Sequence, residues 1–209
     1  YSIKFKASDT LLYFERNIDY LILGKVFNSR ELGYYSFSYN IMYTPVKRIS
    51  YIFSQILFPA FSSIKNDRHK IVENYFRSVE LVAIVSFPAM TILSLYAEIL
   101  IPFVFGDQWL GAIPIVKILC FAGAIQSISQ VGGVVFSSIG KPEINIYLGI
   151  FRLIVTVAAI IFGSVYGFIV VAWLLLVAKA LNYLVTIALI RLFIPYSLGH
   201  VLSSLRGPV

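Results

Sequence analysis

The sequence predicts an all-α fold, a polytopic transmembrane bundle of about six helices. Three observations carry this. Of 209 residues, 59% are hydrophobic and only 13% are charged, about half the charged share of soluble domains. Mean hydropathy is +0.84. Uncharged stretches of roughly 20 residues, enough to cross about 30 Å of hydrocarbon, recur with short polar connections between them. Such a chain is not an ordinary cytosolic enzyme, a disordered tail or a disulfide scaffold. The single cysteine, Cys120, lies in an apolar run without a partner for an internal disulfide. The formal charge of +7 would raise nucleic acid as a partner in a water-soluble protein. Here the cations must first be sorted by membrane depth, and no nucleic acid is expected. The chain starts at Tyr1 and stops at Val209, just after Arg206-Gly207-Pro208, and is read as a fragment of a longer protein.

The spans are expected at about 11–27, 34–61, 80–105, 112–136, 144–163 and 168–190. The first carries Glu15, Arg16 and Asp19, and the second carries Lys47-Arg48 near its middle; both are weak by hydropathy and rich in chemistry. The third accommodates Glu98 near one end. The fourth rests on Ile118 to Gly140, and the fifth and the start of the sixth on Leu153 to Ala178, stretches that hold no Asp, Glu, Lys or Arg. Gly163-Ser164 and Gly167 read as the turn that separates the fifth span from the sixth. A basic loop is expected over 62–77, read either as a surface helix lying on anionic lipid or as a solvated connection.

If each stretch crosses once, Lys4, Lys6, Lys65, Arg68, Lys70, Arg77, Lys141, Arg191 and Arg206 share one side of the membrane. The other side has Arg30, with Lys25 at a helix end. Positive residues collect on the cytoplasmic face, so both ends of the chain are expected there.

A charge at mid-bilayer costs about 2.5–3.5 kcal/mol on an insertion scale, so the deep charges need a reason. Helical arithmetic gathers polar residues with them. Asn40, Lys47 and Ser54 are seven apart, as are Arg48 and Gln55; Asn145, Gly149, Arg152 and Thr156 recur at helical spacing, as do Lys179, Asn182, Tyr183 and Thr186. Gln126 and Gln130 sit one turn apart. Several helices thus carry one wet stripe each. The stripes either face a common water-filled cavity or pack on one another as structural pairs.

Deep cations (Arg16, Lys47, Arg48, Arg152, Lys179) outnumber deep anions (Glu15, Asp19), and Asp19 lies three residues from Arg16 and can neutralise it. The unbalanced remainder favours an anionic, phosphate-bearing tenant, unless a chain beyond this fragment supplies acidic partners. The candidate cavity residues are therefore Lys47, Arg48, Arg152, Lys179, Asn40 and Gln55. Asp19 and Glu15 are candidates for proton or Na⁺ coupling. Pro45, two residues before Lys47, frees a carbonyl one turn back and is a candidate hinge.

Gly132-Gly133 is read as a site of close helix packing, and Trp109 with several tyrosines near span ends as interfacial anchors. His69 and His200 form no metal pair, and no phosphate-cradling glycine loop ends in Lys-Ser or Lys-Thr. No metal, resident cofactor or catalytic group is expected.

The string NIDYLILGKVFNSRELGYYSFSYN (residues 17–40), followed by LFPAFSSI (57–64) and FGDQW (105–109), resembles the Wzx-type lipopolysaccharide and exopolysaccharide flippases, nearest the colanic-acid exporter branch. The resemblance implies membership of the MOP/MATE-like superfamily of two-lobed transporters, with this chain as the second, C-terminal lobe. It implies that an undecaprenyl-pyrophosphate-linked oligosaccharide is turned across the bacterial inner membrane by alternating access, without enzymatic chemistry. Membrane lipids, a polysaccharide polymerase and assembly proteins are the partners that it brings with it. Two other readings stay open: a MATE-like exporter of cationic drugs, which wants acidic and aromatic walls, and a membrane-embedded polysaccharide polymerase or glycosyltransferase, which needs a nucleophile, an acid-base pair or a metal.

Overall fold

A computed structural model describes residues 21–193. The described end of α1, residues 21–26, is helical. After it come α2 (Ser29–Ser63), α3 (Arg68–Leu95), α4 (Ala97–Phe105), a 3-10 helix (Asp107–Ala112), α5 (Ile113–Ser138), α6 (Glu143–Ser164) and α7 (Phe168–Phe193), and no strand occurs among the described residues.

Local chemistry sets the boundaries. Asn28 caps α2, its Oδ1 accepting from the Glu31 N–H at 2.9 Å, and Asp67 caps α3 by accepting from the Lys70 N–H at 3.1 Å. Gly140 (φ 79°) and Gly167 (φ 106°) turn the chain after α5 and α6 in a backbone region that a side chain disfavours. Pro114 sits in the first turn of α5, where its missing N–H costs nothing.

Two expectations change. The stretch expected as a basic loop over 62–77 is mostly helical: α2 runs to Ser63 and α3 starts at Arg68. Ile71, Val72, Tyr75 and Ser78 are buried at helical spacing, so the segment is the first part of α3 and not a loose connection. The span expected over 80–105 is interrupted at Tyr96, which ends α3 and starts α4.

Among the described residues, four helices are long and apolar enough to cross a membrane: Arg68–Leu95, Asp107–Ser138, Glu143–Ser164 and Phe168–Leu192. At 35 residues α2 has ample length, and its polar content keeps it below that hydropathy. The first expected span, 11–27, lies mostly outside the described residues.

The bundle is built around α5, whose apolar window is 67% buried against 22–28% in the other three. It packs on α2, α3 and α7, while α6 packs chiefly on α7. Glycines permit the closest approaches. A Cβ at Gly123 would stand 2.7 Å from Met42 Cγ of α2, one at Gly163 would stand 2.9 Å from Val171 Cα of α7, and one at Gly132 would overlap Thr186 Cγ2 of α7. Large apolar residues such as Ile84, Ile154, Leu184 and Phe103 face outward, as an oil-facing surface requires.

At one end Phe37 stacks on Trp109 at 4.1 Å, and Phe105 meets Phe37 edge-on at 5.0 Å. Trp109 therefore ties the start of α2 to the α4–α5 connection, beyond the anchoring expected of it. Glu98 is answered by Lys117 of α5 at 2.6 Å.

Candidate functional site

The buried core falls into two clusters, and on α5 the break between them includes Gln126. There the helices part around a cavity of about 640 Å³, the size that receives a drug-sized ligand. Its floor is α5, presenting Gln126, Ser129, Gln130, Gly133 and Ser137. One wall is α2, through Tyr35, Tyr39, Tyr43, Ser54, Gln55 and Phe58. The other is α6 with Asn145, Arg152 and Thr156, and α7 with Lys179, Asn182 and Thr186. Among the described residues, none that lines this cavity is Asp or Glu.

Arg152 and Thr156 project together because they are one turn apart on α6, and Lys179, Asn182 and Thr186 do so on α7 for the same reason. Because α6 packs on α7, the two cations share a wall. Hydrogen bonds set the floor. Asn145 Nδ2 donates to the Gly133 carbonyl at 3.0 Å and to Ser137 Oγ at 2.9 Å, and Ser137 Oγ donates to the same carbonyl at 2.9 Å. Thr186 Oγ1 donates to the Asn182 carbonyl at 2.8 Å. Gln126 Oε1 is buried without a hydrogen-bond partner, an acceptor left for a guest.

A smaller cavity of about 240 Å³ adjoins the first, sharing Tyr43, Ser54, Gln130 and Val134 with it. Lys47 and Ser50 line it, and Ser50 Oγ is buried without a hydrogen-bond partner.

Of the residues singled out in the sequence, Gln55, Arg152 and Lys179 therefore meet in the main cavity, with Lys47 in its side chamber. Arg48 and Asn40 are exposed on α2 and line neither cavity; Asn40 Nδ2 donates instead to the Ser36 carbonyl one turn back, at 2.9 Å. Pro45 lies inside a continuous α2. Asp19, Glu15 and Arg16 lie outside the described residues. Gly132 packs against α7 as expected of it, whereas Gly133 lines the cavity. Tyr35, Tyr39 and Tyr43 are the lining residues that the stripe argument passed over, although their spacing of four places them on one face.

A model of a family described as polysaccharide biosynthesis protein matches residues 1–114. The chain belongs to that family. It is 27% identical over 158 residues to the lipopolysaccharide biosynthesis protein WzxC of Escherichia coli (strain K12), covering 76% of this chain and 32% of that protein. It is 29% identical over 196 residues to the teichuronic acid biosynthesis protein TuaB of Bacillus subtilis (strain 168), covering 92% of this chain and 40% of that protein. Over 159 residues it is 22% identical to the succinoglycan biosynthesis transport protein ExoT of Rhizobium meliloti (strain 1021), covering 75% and 32% respectively. The chain thus spans between a third and two fifths of the length of these relatives. No solved structure matches it. Apolar helices and family together make it part of a multi-pass membrane protein. The matched segment contains the aromatic wall but ends before Arg152 and Lys179, so the basic wall rests on geometry alone.

Proposed function

We propose that this chain is one lobe of a flippase that carries undecaprenyl-pyrophosphate-linked oligosaccharide across the bacterial inner membrane, with both ends of the chain on the cytoplasmic side. The observation that supports this most is the placing of Arg152 and Lys179 on one wall of a polar cavity inside an apolar bundle, whose described lining holds no Asp or Glu. Two cations facing one space repel each other when it is empty and are stabilised when an anion enters. At about 4 Å and an effective dielectric of about 20, each cation–phosphate pair gains about 4 kcal/mol before desolvation. The guanidinium fits phosphate oxygens in a fork and the ammonium adds a point charge. Lys47, in the adjoining chamber, is a further station for the same group. A cationic cargo would meet repulsion from Arg152 and Lys179 in this lining. Relatives named for polysaccharide biosynthesis and, in ExoT, for transport support an exporter that does no covalent chemistry.

Movement would come from rocking of this lobe against another, with Pro45 as the point where α2 bends. Proton or Na⁺ coupling through Asp19 or Glu15 belongs to the same proposal. So does the passing of product to a polymerase and assembly proteins.

The test is export from cells that depend on the full-length protein. Arg152→Gln with Lys179→Gln removes two charge-assisted contacts, each worth about 1.5–3 kcal/mol, and is expected to lower surface polysaccharide at least about tenfold at equal membrane abundance. Arg48→Gln, on the exposed side of α2, is the comparison. Unchanged export by the double variant would remove the basic wall from the account.

A further inference from the structure

Tyr35, Tyr39 and Tyr43 form a ladder on the α2 wall: the ring centroids of the first pair are 6.1 Å apart with planes inclined by 30°, and those of the second pair are 5.8 Å apart and inclined by 17°. Four residues per step along a helix rise about 6 Å, a spacing on the scale of one sugar residue. Tyr35 is buried and anchors the ladder, whereas Tyr39 and Tyr43 are half-buried and all three border the main cavity. Membrane anchoring explains tyrosines at a bilayer surface but not rings stacked along the wall of an internal polar cavity.

A pyranose offers a face of C–H bonds and a rim of hydroxyls. The C–H face is slightly positive and lies well on the negative face of an aromatic ring. The rim needs donors and acceptors beside that ring, and Gln55, Gln130 and the unpartnered Gln126 Oε1 supply them from the same wall and the floor. The cavity is thus divided, with rings and amides toward α2 and cations toward α6 and α7.

Building on the flippase reading, we propose that Tyr39 and Tyr43 are the glycan-contacting platform: the first sugars lie on the α2 wall while the pyrophosphate is held by Arg152 and Lys179. This assigns the two ends of the substrate to different helices, so a lobe could accept varied glycans by changing α2 and keep its phosphate site.

The experiment compares two probes on the purified full-length protein by titration calorimetry: farnesyl pyrophosphate, and the same molecule carrying one glucose on the terminal phosphate. The readout is the ratio of the two affinities, which cancels any general loss of folded protein. Wild type should bind the glucosylated probe about three- to tenfold more tightly, the return expected of one aromatic stacking partner. Tyr39→Leu with Tyr43→Leu should bring that ratio to about one, and Tyr39→Phe with Tyr43→Phe, which keeps the rings, should preserve it. Tyr43→Leu alone is the second variant if the double variant binds neither probe, and it should lose part of the advantage. A full glucose advantage in the leucine variants overturns the proposal, and so does a wild type that binds both probes equally well; in either case the phosphate site stands. Farnesyl pyrophosphate binding that ignores Arg152→Gln with Lys179→Gln overturns the flippase reading of this cavity, and the platform with it.

Discussion

Gly132→Ala tests the packing that sets the width of the cavity. Its new Cβ would overlap Thr186 Cγ2 across the α5–α7 contact and stand 3.6 Å from Ile190 Cδ1. Thr186 is 2% exposed. Its side chain cannot swing freely, because Oγ1 is committed to the Asn182 carbonyl at 2.8 Å and a β-branched residue in a helix has few rotamers. Overpacking of this kind costs about 1–3 kcal/mol, and the better helix propensity of alanine returns about 1 kcal/mol. The net cost is expected to be up to about 2 kcal/mol. Thr186→Ser removes the obstructing methyl, keeps the hydroxyl, and by itself costs about 1 kcal/mol of burial. In the double variant the new methyl occupies the space that the old one leaves, so the two changes should couple favourably by about 1–2 kcal/mol. Reversible dodecyl sulfate unfolding of the full-length protein in its four forms measures this coupling. Additivity within about 0.5 kcal/mol would show that Gly132 and Thr186 do not touch and that the α5–α7 register is wrong.

Two further outcomes follow from the same geometry. Asn145→Ala removes two hydrogen bonds that join α6 to α5, at 3.0 and 2.9 Å; with about 0.6 kcal/mol for each such bond in a membrane, dodecyl sulfate unfolding should show a loss of about 1 kcal/mol, and no loss would mean the bridge is absent. The Asp67 carboxyl is held below its ordinary value chiefly by the hydrogen bond from the Lys70 backbone N–H. Because the folded value is the lower one, the cap is fully formed above the ordinary carboxyl value of 3.8 and is lost as pH falls through the folded value. Amide exchange at Lys70 should therefore gain protection as pH rises through the acid range, relative to the intrinsic rate, and Asp67→Ala should abolish that dependence.

The helices were legible in the sequence where apolar length alone decided them. Ile118 to Gly140 and Leu153 to Ala178 carry no charge and fall in α5 and in α6 with the start of α7, and Gly167 marked the turn before α7. At Arg68–Arg77 charge hid the continuity with α3, and the helical alternative is the one the structure takes, with Ile71, Val72 and Tyr75 as its buried face. Arg152, Lys179 and Gln55 were legible as cavity-lining residues because deep polar groups need a wet neighbour. Arg48 and Asn40 line neither cavity, since periodicity tells which residues share a face and not what stands opposite it. Lys47 and Ser54 line a chamber with Gln130, whereas the Asn40 amide donates to the carbonyl one turn back on its own helix. The tyrosines were passed over because an aromatic ring counts as apolar in a hydropathy sum, although its face and hydroxyl serve a polar guest.

The central claim is that the polar faces of α2, α5, α6 and α7 enclose water inside the membrane. Single cysteines in a cysteine-free full-length background, treated with a hydrophilic maleimide, test it most directly, because only a hydrated thiol ionises and reacts. Thr156→Cys and Lys179→Cys line the cavity, and Ile154→Cys and Leu181→Cys lie two residues away on the outward faces of the same helices, at nearly the same depth. The account predicts that the first pair reacts at least about tenfold faster than the second. Equal rates, or faster labelling of the outward pair, would contradict it.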